Sequence, residues 1–270
     1  MHSICSNCDQ EIIPGRHFCS NCGQKAHLHR LSWHDVTHDA IHYFTHADKG
    51  VFHLLIQLAT KTGTVAREFV QGKRKKYFPP FNFFLIVAAI YVFVFTLNTK
   101  PFTSKDVLQS HPELNKITDL KKREHMLHIY ERSSKAMVFM NKHSNTVAML
   151  ALPFIAAIFW LFYRRAGYNY IEHLVANMYM SGFTLLCQVI VFVPLGLLFK
   201  SKNSNYLLSA FFIFQLIYFS VFYYFFINNG TKPGRIKAFL VSVFVIVIWV
   251  ILTATLIRLY ISNGFWGLMQ

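Results

Sequence analysis

The sequence predicts an all-α integral membrane protein: a five-helix transmembrane bundle behind a small cysteine-held head. Three observations predict it. Of 270 residues, 54% are hydrophobic and only 14% are charged, too little polar surface for a soluble chain of this length. Five apolar runs, residues 81–97, 147–163, 174–199, 206–227 and 238–259, approach the roughly 20 residues that a bilayer requires. The opening stretch "CSNCDQEIIPGRHFCSNCGQ" is polar by contrast and holds four of the five cysteines.

The head, residues 1–26, is justified by spacing. Cys5, Cys8, Cys19 and Cys22 read C-x2-C, ten residues, C-x2-C. Each pair forms a knuckle that points two thiolates at one ion, and two knuckles make the four-sulfur tetrahedron that suits Zn2+. Gly23 follows the second knuckle and Asp9 the first, where positive φ is needed. Gly15 after Pro14 turns the chain between the halves. About 20 mostly polar residues cannot fold by burial, so the ion would supply the folding energy. Two disulfides or a redox pair are the competing readings. The first suits a reducing cytoplasm poorly, and the second ordinarily involves one pair. With all four positions filled by Cys, no ligand site is left for a catalytic water, and the expected role is structural. The polar start lacks the apolar core of a secretory signal. Cys187 lies in an apolar run, where a thiol serves as a small hydrophobe.

Residues 27–76 read as an amphipathic, helical, cytoplasmic linker with a polybasic end. Trp33, Val36, Ala40, Ile41 and Phe44 share one helical face. His34, His38, His42 and His46 recur every four residues on another, beside Asp35 and Asp39. That row suits either a metal or a solvated, headgroup-facing surface; the latter is the expectation, since a metal site also needs supporting groups around its ligands. Residues 51–71 predict one or two further helices broken near Gly63. Lys73, Arg74, Lys75 and Lys76, followed by Tyr77, then stand against the first span. They are expected to meet anionic lipid headgroups, with Tyr77 as interfacial anchor. Nucleic acid is not an expected partner, because no aromatic platform accompanies the basic run.

The five-span domain occupies residues 77–270, with an extracytoplasmic loop at about 98–145 that is helical in part. Lys73–Lys76, Arg164 with Arg165, and Lys232, Arg235 and Lys237 fall on one side if the N-terminus is cytoplasmic and the C-terminus outside. The third span carries a polar stripe. His173, Asn177, Ser181, Thr184 and Gln188 are spaced 4, 4, 3 and 4, within one sector of a helix. The stripe is either hydrogen-bonding glue or the lining of a cavity with Glu172 and His173 at its mouth. Glue is the expectation, with Gly182 admitting a close neighbour and Glu172 pairing with Arg164 or Arg165. Ser242, Trp249 and Thr253 share a face of the fifth span that could meet the stripe.

Four stretches carry a family likeness: the head with "NCGQ", then "RLSWHDV", "GKRKKYFPP" and "YIEHLVANMYMSGF". Together they resemble an uncharacterised family of bacterial multi-pass membrane proteins that open with a zinc ribbon and carry Gly-Lys-Arg-x-x-Tyr and Glu-His motifs. Thr62-Gly63 stands where the family pattern has Pro-Gly. The resemblance implies an inner-membrane protein with a cytoplasmic zinc ribbon, and it implies no activity. The five-span, N-inside layout is similar to that of the Yip-type membrane proteins of trafficking.

The net charge is +15, which calls for an anionic partner. After Glu131 the only acidic residue is Glu172, so the C-terminal half has little acid–base chemistry to offer. Neither a nucleophile with its base nor a phosphate-binding loop is present. The expectation is therefore a non-enzymatic anchor or adaptor whose ribbon docks a cytoplasmic protein. The alternative is a transporter or channel for a small solute or lipid that uses the third-span stripe, although no inverted repeat is evident.

Overall fold

The computed structural model describes residues 3–26, 28, 30–33, 50–98, 111–142, 144–198, 204–228 and 230–263. The His34, His38, His42 and His46 row lies outside them, as do Asp35 and Asp39. Among these residues the chain is mainly helical apart from the head, where strands β1 (Ser3–Ile4) and β2 (Glu11–Ile12) pair antiparallel. Nine α-helices follow among the described residues: α1 (Gly50–Thr60), α2 (Gly63–Val70), α3 (Pro80–Asn98), α4 (Leu120–Lys142), α5 (Ser144–Phe162), α6 (Tyr170–Cys187), α7 (Val193–Leu198), α8 (Ser204–Ile227) and α9 (Lys232–Asn263).

Three apolar stretches, Tyr170–Leu198, Tyr206–Ile227 and Lys232–Tyr260, are long enough to cross a membrane, and shorter ones occupy Pro80–Val94 and Met149–Phe162. Large side chains such as Phe154, Ile213, Ile217 and Ile251 point outward, each more than half exposed. Water would reject such a surface and lipid accepts it. This is a membrane protein.

The third span starts earlier than its hydropathy suggests, at Tyr170 rather than residue 174. A capping box sets the start: Asn169 accepts the Glu172 N–H at 2.8 Å, and Glu172 accepts the Asn169 N–H at 2.6 Å. Two orphan donors of the first turn are thereby satisfied. The span then widens into a π-turn at Gln188–Phe192 before α7. Pro194 lies just beyond, where its ring would strike the carbonyl of Ile190 in a regular helix.

The chain forms two compact units. One comprises Met1–Ala89 and Met149–Val245, the other Ile90–Ala148 and Ile246–Gln270. The first therefore unites the head, α1, α2 and most of the bundle. Within this unit α1 and α2 are packed into the bundle. Val65, Ala66 and Phe69 on α2 are buried, as are Leu54 and Leu58 on α1. The break between the two helices falls at Lys61 and Thr62, beside Gly63 as expected. A Cβ on Gly63 would overlap the Phe222 carbonyl of α8, so only glycine allows this approach.

The docked hairpin also resolves unpaired carbonyls at helix ends. Tyr218 Oη donates to the Leu58 carbonyl near the end of α1 at 3.2 Å. Arg67 donates to the Phe225 carbonyl near the end of α8 at 2.9 Å. Tyr179 Oη donates to the Phe78 carbonyl at 2.7 Å, ahead of α3.

Candidate functional site

The four head cysteines converge as their spacing requires. The two knuckles repeat the same bonds: Cys5 N–H donates to Gln10 O at 2.9 Å and Cys19 N–H to Gln24 O at 2.8 Å. Asp9 N–H returns to Cys5 O and Gly23 N–H to Cys19 O, at 2.9 and 3.0 Å. Asp9 and Gly23 adopt φ of 59° and 71°, the left-handed conformation expected after each knuckle. The sulfurs of Cys5 and Cys22 lie 3.6 Å apart, those of Cys8 and Cys19 3.7 Å, and all four fall within 4.8 Å of one another. A tetrahedron with metal–sulfur bonds of about 2.3 Å has sulfurs roughly 3.8 Å apart, so the cluster fits one metal ion. No disulfide forms. Burial raises the Cys5 thiol to about 11, whereas backbone N–H groups of Cys22 and Asn21 lower Cys19 to about 7. Apart from the sulfurs, only Ile12 and the half-buried Ala26 fill the core of the head. With a core that small, an ion held by the four sulfurs would be the main source of cohesion.

The head is mounted on the membrane body. Gly72 has φ of 115°, and a Cβ there would sit 2.9 Å from Leu28 and 3.0 Å from the Ser6 hydroxyl. Gln24, buried, accepts the Lys75 N–H at 3.3 Å. Just past the head, Arg30 grips Glu172 with Nε at 3.0 Å and Nη2 at 2.7 Å, and also donates to the Gly167 carbonyl. Asn169 reaches back to the Leu31 carbonyl at 3.3 Å. Glu172 therefore pairs with Arg30, not with Arg164 or Arg165. Arg164 instead sits over the Trp160 ring at 5.5 Å. Sequence reasoning missed Arg30, which stands 142 positions from its partner.

The polybasic turn is less open than its composition suggests. Lys76 pairs with Glu68 at 2.6 Å and Lys73 with the same carboxylate at 3.6 Å. Tyr77 is buried and donates its hydroxyl to Glu68 at 2.7 Å, so it is an internal group and not an interfacial anchor. Burial opposes ionisation of Glu68, but hydrogen bonds from Lys76 and Tyr77 and the charges of Lys76 and Lys73 outweigh it and lower its pKa to about 2. Burial, then the bond to Glu68, raises Tyr77 to about 12. Arg74 is half-buried and Lys75 exposed.

The third-span stripe faces inward. Glu172, His173, Asn177 and Thr184 are buried, while Ser181 and Gln188 are half-buried. Asn177 Nδ2 donates to Tyr223 Oη at 2.7 Å and to the His173 carbonyl at 2.8 Å. Tyr223 Oη lies 3.4 Å from His173 Nδ1. With its oxygen accepting from Asn177, the phenol keeps its own proton available for Nδ1. Thr184 bonds back to Met180 and Ser181 carbonyls. Tyr163, Tyr223 and Phe159 stack beside the imidazole. Among the described residues, His173 Nε2, Asn177 Oδ1, Tyr163 Oη and Ser242 Oγ are buried without a partner. On α9, Thr253 bonds back to the Trp249 carbonyl at 2.8 Å.

A family model described as protein of unknown function (DUF3667) matches residues 48–92. The match covers α1, α2, the basic turn and the start of α3, the part of the chain that carries Gly63 and the Glu68 cluster. No curated protein and no solved structure matches the chain.

Proposed function

We propose that this is a non-enzymatic membrane adaptor whose ribbon, folded around a structural Zn2+, docks a protein partner at the cytoplasmic face. One observation carries the reading. The ribbon leaves Ile4, Ile13 and Phe18 exposed at 68%, 56% and 55%, although its own core has few apolar side chains to spare. Large apolar groups left outward on a head of this size suit a protein interface. The ribbon is also braced, through Gly72, Gln24 and Arg30, so a partner bound there is held at a fixed place on the membrane body. Four thiolates at tetrahedral spacing favour zinc over oxygen-seeking ions. Cys5, Cys8, Cys19 and Cys22 would hold it, and the bound ion would contribute folding energy alone.

The layout we propose has five spans in a bacterial inner membrane, with the N-terminus cytoplasmic and the C-terminus outside. Helices α3 and α5 are 19 residues each, about 28 Å long at 1.5 Å per residue, close to the hydrocarbon thickness of about 30 Å. Five spans place residues 98–145 and the C-terminus on one side, in keeping with their shared compact unit. Lys73, Arg74 and Lys75 would meet anionic headgroups on the cytoplasmic side.

The test uses the full-length protein in detergent. Wild type is expected to carry one zinc per chain and Cys5→Ser none. Ile13→Glu with Phe18→Glu is expected to keep the zinc but lose the proteins that wild type retains after in-cell crosslinking. An unchanged retained set on that variant refutes docking. A second reading, a site for a small polar solute inside the bundle, is favoured by the unpartnered His173 Nε2, Asn177 Oδ1 and Ser242 Oγ. It predicts that Asn177→Leu alters uptake or a cellular phenotype beyond what its small loss of stability explains.

A further inference from the structure

A second basic site lies far along the chain from the polybasic turn. Helix α4 carries His125, His128, Ile129 and Arg132 at spacings of 3, 1 and 3, one helical face. Near the end of α9, Ala254, Ile257 and Arg258 share a face in the same way. Both stretches belong to one compact unit, and together they line a groove of about 870 Å³. Among the described residues the lining contains two guanidinium groups and two imidazoles over apolar Ile129 and Ile257, with no acidic side chain. Glu131 Oε2 lies 4.0 Å from His128 Nδ1 and offsets part of that charge.

We propose that this groove binds the anionic phosphate headgroup of a membrane lipid, of the phosphatidylglycerol class. Three observations point there together. The cations match a phosphate, and arginine offers it paired donors. The floor is apolar, which a free inorganic anion cannot use. On α9, Ile251 lies one turn before Ala254 on the groove's side of the helix and is exposed by 59%. It belongs to a membrane-span helix, so an acyl chain has an apolar path beside the headgroup. Arg258, near the end of that span, sits where long cationic side chains reach the headgroup layer. The inference does not depend on what the ribbon docks. It is also separate from Lys73–Lys76, which belong to the other unit.

Native mass spectrometry of the full-length protein, titrated with phosphatidylglycerol, phosphatidylcholine or inorganic phosphate, tests it. Wild type is expected to retain phosphatidylglycerol over the other two. Arg132→Gln and Arg258→Gln are each expected to weaken retention about fivefold, while Lys73→Gln with Lys75→Gln leaves the site intact. Equal retention by the arginine double variant overturns the proposal, as does equal binding of phosphatidylcholine. Inorganic phosphate binding as tightly as the lipid would reassign the groove to a free anion. Should the double variant fail to fold, a photoreactive phosphatidylglycerol on wild type decides the matter. Adducts within residues 125–132 and 254–258 support the site, and adducts confined to other segments overturn it.

Discussion

Replacing three glycines by alanine, one at a time, should have three different outcomes, because the atoms facing each glycine differ in how far they can move. At Gly63 the new methyl meets backbone: it overlaps the Phe222 carbonyl and lies 2.7 Å from the Phe226 nitrogen and 2.8 Å from the Phe222 carbonyl carbon. Relief requires α2 to retreat from α8, which strains the Arg67 bond to Phe225. Overpacking of this kind costs about 3 kcal/mol, the upper end of its usual range. At Gly182 the methyl lies 2.7 and 3.0 Å from two carbons of the Phe83 ring, a side chain that can tilt, so about 1 kcal/mol is expected. At Gly196 the nearest atom is Leu207 Cδ1 at 4.0 Å. Alanine fits there and gains roughly 0.5–1 kcal/mol of helix preference. Thermal unfolding in detergent, followed by tryptophan fluorescence, reads the series. Gly63→Ala should melt about 6–12 °C below wild type, Gly182→Ala about 2–4 °C below, and Gly196→Ala at or above it. A Gly63→Ala protein that melts with wild type, or a Gly196→Ala protein that falls as far, would refute the packing argument.

Three other substitutions separate charge from packing. The folded pKa of Glu68, about 2, lies below its ordinary 4.5. Its stabilisation is therefore complete above about pH 4.5 and disappears as pH falls toward 2. Glu68→Gln should cost about 1–2 kcal/mol at neutral pH, allowing for its partial exposure to solvent. It should also flatten the fall in melting temperature between pH 5 and pH 3; an acid limb identical to wild type would discount the Lys76 and Tyr77 contacts. In the bundle, Tyr223→Phe leaves an Asn177 donor and His173 Nδ1 short of a partner and should cost about 1 kcal/mol. Asn177→Leu also removes the unpaired Oδ1, so it should be the milder of the two by the same melting assay.

What the sequence made legible depended on how local the signal was. The two knuckles repeat within a few residues, so ligand spacing, the left-handed Asp9 and Gly23 and the turn at Gly15 could all be read directly. The long apolar spans and the inward stripe were legible for the same reason, since 3.6-residue periodicity is a property of one helix. Other features were hidden because their partners lie far apart in the chain. Nothing in "TVAREFV" indicates that α8 lies against Gly63. Tyr223 sits in the run "FSVFYYFFI", where aromatic residues surround the helix and no face stands out, so its role as the hydrogen-bond partner of Asn177 was invisible. Tyr77 was misread because an aromatic after a basic run ordinarily marks the interface; the carboxylate that draws it inward, Glu68, belongs to the preceding helix.

The bond between Arg30 and Glu172 also sets an order of assembly. At about 5–20 residues per second, the 142 residues between them take roughly 7–30 s to synthesise. During that interval the head has emerged and its four cysteines are free to take up a metal ion, but half of its mount does not yet exist. The guanidinium can close only after the third span has been made and its first turn capped. A chain stalled or truncated before Asn169 should therefore carry a metal-loaded head that a protease can still cut away at Arg30, whereas the finished protein resists at that point. Cleavage there would report how far insertion had progressed.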